Sequence, residues 1–246
     1  MSNEANPIVI GTNRLSVGYN GQTVVSGINF NAGPSCFIAL LGRNGIGKST
    51  LLKTLAGLLL PVSGSIDLFG TPMHSHSRDA RARLISYVST ETIHIPNMPV
   101  HELVAAGRYP YTPWTGMLSA QDRQIVQKAM EIVGIRPIAD KEITCISDGE
   151  RQKALIARAI AQDTPIIILD EPTAWLDLPS RYELITLMAA LALEAKKTII
   201  CSTHEMSIAM KKAHQIWLIA GKEEIYTGTP VEITNQQLLE RIGVTF

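Results

Sequence analysis

Short apolar runs bounded by turn residues recur along the chain, and their arrangement predicts a mixed α/β fold. Cys36–Leu41 and Pro165–Leu169 are continuous apolar runs, which are typical of parallel strands buried on both faces. After position 165, strands are predicted at 165–169, 198–202 and 215–220, and helices at 180–195 and 205–213. This alternation indicates βαβ units around a parallel sheet.

The middle of the chain interrupts this pattern. Ahead of it, short strands with glycine turns are predicted at 13–30, 62–69 and 84–88. Residues 99–163 lose the strand pattern and are mostly helical in composition. We therefore predict one α/β domain over 8–232, with a helical subdomain inserted at about 99–163, followed by a C-terminal helical tail over 233–246.

Two helices are predicted in the first part of the insertion. One covers Val100–Ala106, and the second runs over 119–133 before a glycine. Asp122 lies three residues after Ser119, as in a capping box, so Ser119 is expected to begin the second helix. A loop rich in proline and aromatic residues, 108–117, is predicted to separate the two helices.

Composition limits the possible classes of protein. The chain has 246 residues, 46% of them hydrophobic, which is enough for a sizeable core. Lysine plus arginine and aspartate plus glutamate each number 22, so the net charge is zero. This balance argues against a broad nucleic-acid-binding surface, and no nucleic-acid partner is expected; a local basic groove is the alternative. Cys36, Cys145 and Cys201 show no metal-ligand or disulfide spacing and are predicted to be small core residues in a reducing compartment.

Neither a membrane span nor a secretory leader is predicted. The most apolar stretch, Leu184–Leu193, is about half the length that a membrane span needs. The N-terminal segment Met1–Pro7 is short and polar, without an apolar signal region. The protein is therefore expected to be soluble, and to act at a membrane only through a partner.

The stretch from Gly42 to Thr50 fits the phosphate-binding P-loop pattern G-x-x-x-x-G-K-(S/T). It lies between the predicted strand at 36–41 and a predicted helix at 48–58, which is the context that the pattern needs. Lys48 is expected to reach the β- and γ-phosphates, and the Ser49 hydroxyl to bind Mg²⁺. The predicted nucleotide-binding residues of this loop are Gly42, Asn44, Gly45, Gly47, Lys48, Ser49 and Thr50. The alternative is a glycine-rich turn that caps an ordinary helix.

A second nucleotide-binding pattern ends the apolar run at 165–169. Asp170 is expected to bind Mg²⁺, and Glu171 to orient or polarise the attacking water. The alternative is a core strand that meets a polar loop. The adjacent glutamate argues against a small-molecule kinase, since such an enzyme must exclude water from its site.

The order of the remaining motifs resembles one family. After the P-loop and the helical insertion come Ile-Ser-Asp-Gly-Glu at 146–150, the acidic strand, Ala-Trp-Leu-Asp at 174–177, and His204. From about residue 12 to 230, this set resembles the ATP-binding subunits of ATP-binding cassette (ABC) transporters. The resemblance implies an α/β fold with a P-loop NTPase core of the ABC type, an N-terminal antiparallel β subdomain and an inserted α-helical subdomain. It also implies an ATPase that uses ATP and Mg²⁺.

The resemblance implies roles for residues outside the P-loop. Glu171, His204 and Lys48 would be catalytic, and Tyr19 would stack on adenine. Two subunits would form a head-to-tail homodimer in which ATP on one chain meets the second chain at Ser147 and Gly149. Asp177 resembles the family's aspartate loop and would be a further nucleotide-binding residue. Taken singly, each of three residues has a simpler explanation: His204 as a helix cap, Tyr19 as a half-exposed strand aromatic, and Asp177 as the N-cap of the helix at 180–195.

The chain departs from the family pattern at two places. The usual Leu-Ser-Gly-Gly-Gln is Ile-Ser-Asp-Gly-Glu here, so Asp148 and Glu150 place two acids near the expected phosphate, at the start of a helix predicted over 150–161. The usual glutamine after the strand at 84–88 is replaced by Thr90, with Glu91 next. Our hypothesis is that Thr90 or Glu91 acts at the Mg²⁺ site through a bridging water.

Residues 100–111, followed by Trp114, Gly116 and Asp122, resemble the importers of iron–siderophore chelates, haem and vitamin B12. The resemblance implies a peripheral subunit on the cytoplasmic face of the membrane, bound to a separate integral membrane permease. A periplasmic or surface substrate-binding protein would be an indirect partner. For the aromatic segment 108–114, the alternative is an ordered surface loop packed by its own side chains. A soluble ABC ATPase and a non-hydrolysing ATP-dependent regulatory module are the alternative functions.

Overall fold

The computed structural model describes residues 7–89, 91 and 95–243, which fold into two sheets flanked by helices. The strands are β1 (Ile10–Tyr19), β2 (Gln22–Ile28), β3 (Asn31–Ala32), β4 (Phe37–Gly42), β5 (Ser63–Leu68), β6 (Thr71–Pro72), β7 (Ile85–Val88), β8 (Ile166–Asp170), β9 (Thr198–Ser202), β10 (Gln215–Ile219) and β11 (Ile225–Gly228). The helices are α1 (Lys48–Leu55), α2 (Arg78–Leu84), α3 (Val100–Ala105), α4 (Ala120–Ile132), α5 (Asp148–Ala161), α6 (Leu178–Glu194), α7 (Met206–Lys212) and α8 (Pro230–Asn235).

The main sheet has the strand order β11-β10-β4-β9-β8-β7. Its strands are parallel except β11, which pairs antiparallel with β10. Because parallel strands share an edge at their carboxyl ends, the ends of β4, β8 and β9 lie side by side. This edge carries the P-loop, the acid pair and the residues that follow β9, and the predicted α/β class is confirmed.

The second sheet is antiparallel and is built from the N-terminal part of the chain. Its order is β2-β1-β5-β6, with β3 also paired to β1. A tight turn joins β1 to β2, and its two residues, Asn20 and Gly21, both have positive φ, at 49° and 79°. Asn-Gly with two positive φ angles is the preferred two-residue hairpin turn. The turn places Tyr19 at the end of β1, where 47% of its surface is exposed.

Two apolar cores lie on opposite faces of the main sheet. Phe37, Ala39 and Leu41 of β4 belong to the core that also contains the buried faces of α3 to α6, whereas Ile38 and Leu40 belong to the core shared with α1 and the antiparallel sheet. This alternation follows from the period of two in a strand. Both faces of β4 are apolar because both are covered, which is why its sequence is a continuous apolar run.

The helical insertion packs around α5. Ser119 is the N-cap of α4, and the predicted capping box with Asp122 is present. The Asp122 carboxylate also accepts a 2.9 Å bond from Arg108 Nε, and the two side chains are only 11% and 8% exposed. Arg108 Nη1 donates to the carbonyl of Ala161 at the end of α5, so this pair ties α4 to α5.

Replacing Asp122 by asparagine is expected to lower the free energy of unfolding by about 3 kcal/mol at neutral pH, because it leaves the Arg108 charge buried without a counter-ion. The Ser119 hydroxyl, and then Arg108, hold the pKa of Asp122 below its usual range. The stabilisation is therefore present above the unfolded-state pKa and is lost as the pH falls through the lower folded-state pKa. Urea unfolding measured from neutral to acid pH should show the wild-type and Asp122→Asn curves converging in acid. Asp140→Asn is the control, since that carboxylate is 97% exposed.

Several elements differ from the sequence-based expectation. The predicted loop at 108–117 begins inside a 3-10 helix, Ala106–Tyr111, in which the Tyr111 ring lies under the Arg108 guanidinium at 4.1 Å. The strand predicted from residue 84 begins one residue later, because Leu84 ends α2, a helix that the apolar pattern did not indicate. α2 has no buried residue, so it carries no amphipathic signal. α8 begins at Pro230, ahead of the predicted start of the tail at 233, and a 3-10 helix at Leu238–Ile242 lies within the tail.

The cysteine prediction was wrong in part. Cys201 is buried and Cys36 is partly buried, whereas Cys145 is exposed. Cys145 lies in the turn just before α5, where the chain runs over the surface, so it is not a core residue. Within the described part of the chain, no helix is long and apolar enough to cross a membrane.

Candidate nucleotide-binding site

The P-loop joins β4 to α1 in the geometry that its sequence predicts. Gly47, the N-cap of α1, has a φ of 112°, and a Cβ at this position would lie 2.8 Å from methyl groups of both Val24 and Val25. Only glycine fits that conformation in that space. No side chain caps α1, so its first backbone N–H groups are available to an anion at the positive end of the helix dipole.

Lys48 is held over this loop. Its side chain is 4% exposed, and its Nζ donates to the carbonyl oxygens of Gly42 at 3.0 Å and Arg43 at 3.2 Å. The Nζ also lies 3.6 Å from Glu171 Oε1. Burial lowers the pKa of Lys48, and the Glu171 carboxylate opposes that shift. A buried ammonium in this position is already desolvated, which strengthens its interaction with phosphate oxygens.

The two predicted acids lie where β8 ends. Asp170 is 1% exposed, and each of its carboxylate oxygens accepts a hydrogen bond: Oδ1 from Ser202 Oγ at 2.8 Å and Oδ2 from the Tyr87 hydroxyl at 3.3 Å. Glu171 has a φ of 47°, an unusual conformation for a residue with a side chain. Such a conformation persists where surrounding contacts fix it, and it is found most often at functional sites.

The bend at Glu171 turns its side chain towards His204. Glu171 Oε1 lies 2.7 Å from His204 Nε2. Glu205, the next residue, is the N-cap of α7, so His204 does not cap the helix that follows it. The structure thus brings together Lys48, Asp170, Glu171 and His204, which sequence reasoning had assigned from separate motifs.

The polar groups of Ser147 and Glu150, in the turn at 146–150, bond to each other at the start of α5. α5 begins at Asp148, two residues earlier than predicted, and Ser147 is its N-cap. The backbone N–H and the hydroxyl of Ser147 both donate to Glu150 Oε2 at 2.9 Å, which completes a capping box. These bonds lower the pKa of Glu150. The Ser-x-x-Glu spacing was the available signal for this box, and the sequence-based reasoning missed it.

Ser147 and Gly149 line a separate open pocket of about 360 Å³. Its other lining residues include Trp175 and Asp177, and Asp177 caps α6 by accepting a 3.1 Å bond from the Ser180 N–H. Among the described residues, none from the P-loop lines this pocket. The residues predicted to contact ATP therefore fall on two surfaces of one chain.

The remaining predicted residues lie as follows. Asn44, Gly45 and Ser49 are exposed along the loop, whereas Thr50 is buried. Thr90 lies outside the described residues, so its predicted metal role is untested. Glu91 is described: its Oε1 accepts from Lys53 Nζ at 3.1 Å, on the side of α1 beyond the loop. Sequence reasoning did not identify Ser202 or Tyr87, because their contacts with Asp170 span 32 and 83 residues.

The oxygen donors at this site are of the kind that a magnesium ion binds. The described residues contain no group of three or more histidine, cysteine, aspartate or glutamate side chains that would hold a metal by themselves. Mg²⁺ does not need such a group of side chains. It is commonly bound by only one or two protein oxygens, and substrate phosphates and waters supply its other ligands. The Asp170 carboxylate and the Ser49 hydroxyl fit that requirement as donor types.

A glycine-rich loop that opens a helix, a buried lysine over it, and an acid pair at the end of the neighbouring strand define a P-loop ATPase. The sequence profile described as ABC transporter matches residues 25–174. The chain belongs to the ABC transporter family, as an ATP-binding ATPase, and the resemblance seen in the sequence is confirmed.

Three similar proteins bear this out. An uncharacterised ABC transporter ATP-binding protein of Methanocaldococcus jannaschii is 36% identical over 94% of this chain and 80% of its own length. The ferric enterobactin transport ATP-binding protein of Escherichia coli K12 is 35% identical over 93% of this chain and 84% of its own length. A solved inward-facing structure assigned to the metal-chelate type of ABC transporter superposes with a TM-score of 0.83, at 27% identity, over 96% of this chain and 88% of its own.

Proposed function

We propose that this chain hydrolyses Mg²⁺-bound ATP as one half of a homodimer, and so powers import of a metal chelate through a separate integral membrane permease. The chelate is an iron–siderophore, haem or cobalamin. The observation that carries the proposal is the division of the predicted ATP contacts between two surfaces, with Lys48 and Glu171 on one and Ser147 and Gly149 on the other. A second copy of the chain, turned head to tail, supplies the missing surface to each ATP.

The chemistry assigned to each residue follows from its contacts. Lys48, fixed over the loop, binds the β- and γ-phosphates. Ser49 and Asp170 would hold Mg²⁺, which when bound would neutralise negative charge on the phosphates. Glu171 orients the attacking water and accepts its proton, and His204, 2.7 Å away, holds the Glu171 carboxylate in place.

The position of the α5 N-terminus supports the proposed homodimer. Ser147 and Gly149 lie at the N-terminus of α5, where the helix dipole favours a γ-phosphate held by the other chain. Asp177 belongs to the same pocket and would contact the partner's P-loop. Tyr19, half-exposed at the end of β1, would stack on adenine. Hydrolysis removes the ligand shared by the two chains and loosens their contact, which is a switch that a bound permease can follow.

The cargo and the membrane partner are argued from the relatives. The Escherichia coli relative is a ferric enterobactin transport protein, and the superposed structure is assigned to the metal-chelate type. By this analogy the chain works as a peripheral subunit on the cytoplasmic face of the membrane, and a periplasmic or surface binding protein delivers the chelate. Thr90 or Glu91 stays a proposed contributor to the metal site through a bridging water.

The proposal is tested by purifying the tagged chain from native membranes in mild detergent and identifying the proteins that accompany it. A polytopic permease is expected. The purified complex, reconstituted in vesicles with its binding protein, should then take up a labelled ferric siderophore, haem or cobalamin when ATP is supplied on the side of this chain.

Two variants sharpen the test. Glu171→Gln should keep the permease but abolish uptake, whereas Glu194→Gln, at the exposed end of α6, should change neither. Recovery of soluble partners alone, with no membrane association, would overturn the importer assignment. Binding of ATP without turnover, even with the permease present, would instead indicate a non-hydrolysing regulatory module.

A further inference from the structure

Ser202 lies at the point where the two acids of the site are fixed. It is the last residue of β9, and it pairs in register with Asp170, the last residue of β8. Its side chain is fully buried, and its single hydroxyl makes two bonds: it donates to Asp170 Oδ1 at 2.8 Å and accepts from the Glu171 N–H at 2.9 Å. A hydroxyl has one donor and acceptor lone pairs, so both of its functions are used here.

The hydrogen bond from the Glu171 N–H to Ser202 stabilises a strained backbone conformation at Glu171. Glu171 leaves β8 with a φ of 47°, so its N–H turns away from the sheet ladder and is taken by the serine oxygen instead. A non-glycine residue keeps such a conformation only where its surroundings impose it. The same bend directs the Glu171 carboxylate to His204 and Lys48.

The bond to Asp170 works together with a bond from the opposite strand. Tyr87 on β7 donates to Asp170 Oδ2 at 3.3 Å, while Ser202 on β9 donates to Oδ1. The carboxylate is therefore held from both neighbouring strands, and each oxygen keeps an acceptor position for a further ligand. Two fixed oxygens set the direction in which the aspartate can bind a metal or a metal-bound water.

We propose that Ser202 is a positioning residue that aligns Asp170 and Glu171 together, with Tyr87 steadying the second oxygen of Asp170. The inference rests on the proposed ATPase function of this site. Because the Ser202 hydroxyl bonds to Asp170 and to the Glu171 N–H, its loss should affect the chemical step and the magnesium contribution. It should leave nucleotide binding by the loop unchanged.

The experiment compares Ser202→Ala with Ser86→Ala, a matched control. Ser86 is a buried serine on β7 whose hydroxyl accepts from Thr164, away from the acids. Ser202→Ala is expected to lower kcat, measured at saturating ATP and Mg²⁺, by roughly 10- to 100-fold, as loss of a bond to a metal ligand typically does. Tyr87→Phe should give a smaller fall, since its bond to Asp170 is the longer of the two.

A binding measurement supplies a readout besides activity. The affinity for a fluorescent ATP analogue is titrated with and without Mg²⁺. In Ser202→Ala, the gain in affinity on adding Mg²⁺ should shrink, while the affinity without Mg²⁺ matches Ser86→Ala. Ser202→Thr, which restores a hydroxyl, should recover part of kcat. If Ser202→Ala does not fold, Ser202→Cys, with a weak donor of similar size, takes its place in both measurements.

The inference is overturned if Ser202→Ala equals Ser86→Ala in kcat and in the magnesium-dependent gain. It also fails if binding with and without Mg²⁺ weakens equally, because that marks a general structural defect. Either result leaves wild-type ATP turnover intact, so the proposed function survives. Absence of turnover and of magnesium-dependent binding in the wild-type protein would overturn both.

Discussion

The Glu171→Gln variant is expected to lose at least about 100-fold of its ATP turnover, because an amide cannot accept the proton of the attacking water. Glutamine has the same shape as glutamate, so the loop that binds ATP stays intact. The variant should therefore accumulate as an ATP-bound dimer. Phosphate release measures the first effect, and light scattering after size exclusion, with and without ATP, measures the second.

The matched control for this variant is Glu194→Gln, which removes one carboxylate from an exposed helix end. It should hydrolyse ATP like the wild type and should not form a lasting dimer. Wild-type turnover by Glu171→Gln would show that the residue has been given the wrong role. Loss of turnover without a trapped dimer would contradict the split site instead, since the two results depend on different surfaces.

The Lys48→Met variant is expected to lose ATP affinity by about 100-fold or more, because the lysine would make charge-assisted bonds to two phosphates. Methionine is long enough to fill the same buried space, so the loss should come from the charge rather than from a cavity. Calorimetric titration with ATP measures the affinity. Near-UV circular dichroism checks that the core around α1 is retained.

Lys128→Met serves as the comparison, since Lys128 is exposed on α4 and away from the loop. It should bind ATP like the wild type. Equal affinities for the two methionine variants would remove Lys48 from the nucleotide site. The P-loop assignment would then rest on the backbone alone.

Local patterns were enough to predict the parts of the site that adjacent residues build. The P-loop could be recognised because glycines, lysine and serine act within a few residues, and a continuous apolar run marks β4 before it. The acid pair could be recognised for the same reason, at the end of β8. The fold class followed from the alternation of strands and helices in the second half of the chain.

Contacts between distant residues could not be read from the sequence. Ser202 and Tyr87 reach Asp170 from two different strands, and only the register of the sheet brings them together. Nothing in the local sequence of either residue distinguishes it from any residue at a strand end. The left-handed conformation of Glu171 was equally hidden, because it depends on the hydrogen bond from its N–H to Ser202.

Two helices were mispredicted for other reasons: α2 was not predicted, and α5 was predicted to begin too late. α2 has no buried face, so a method based on apolar periodicity passes over it, although Ser77 accepts a capping bond from Ala80. The start of α5 was misplaced because the glycine at 149 looked like a turn residue. Gly149 is in fact the second residue of α5, and the capping box between Ser147 and Glu150 stabilises the first turn of the helix.

The alternation along β4 has a consequence for how the protein can change. Neighbouring residues such as Ile38 and Ala39 pack into cores on opposite faces of the sheet. The backbone of β4 is hydrogen-bonded to β10 on one side and to β9 on the other. The buried side chains of α3 and α4 therefore pack on the opposite face of β4 from those of α1. Substitutions in separate cores of this kind should act almost independently. The sheet thus separates the two cores, so the buried side chains of α3 and α4 can be exchanged with little effect on the core beneath the P-loop.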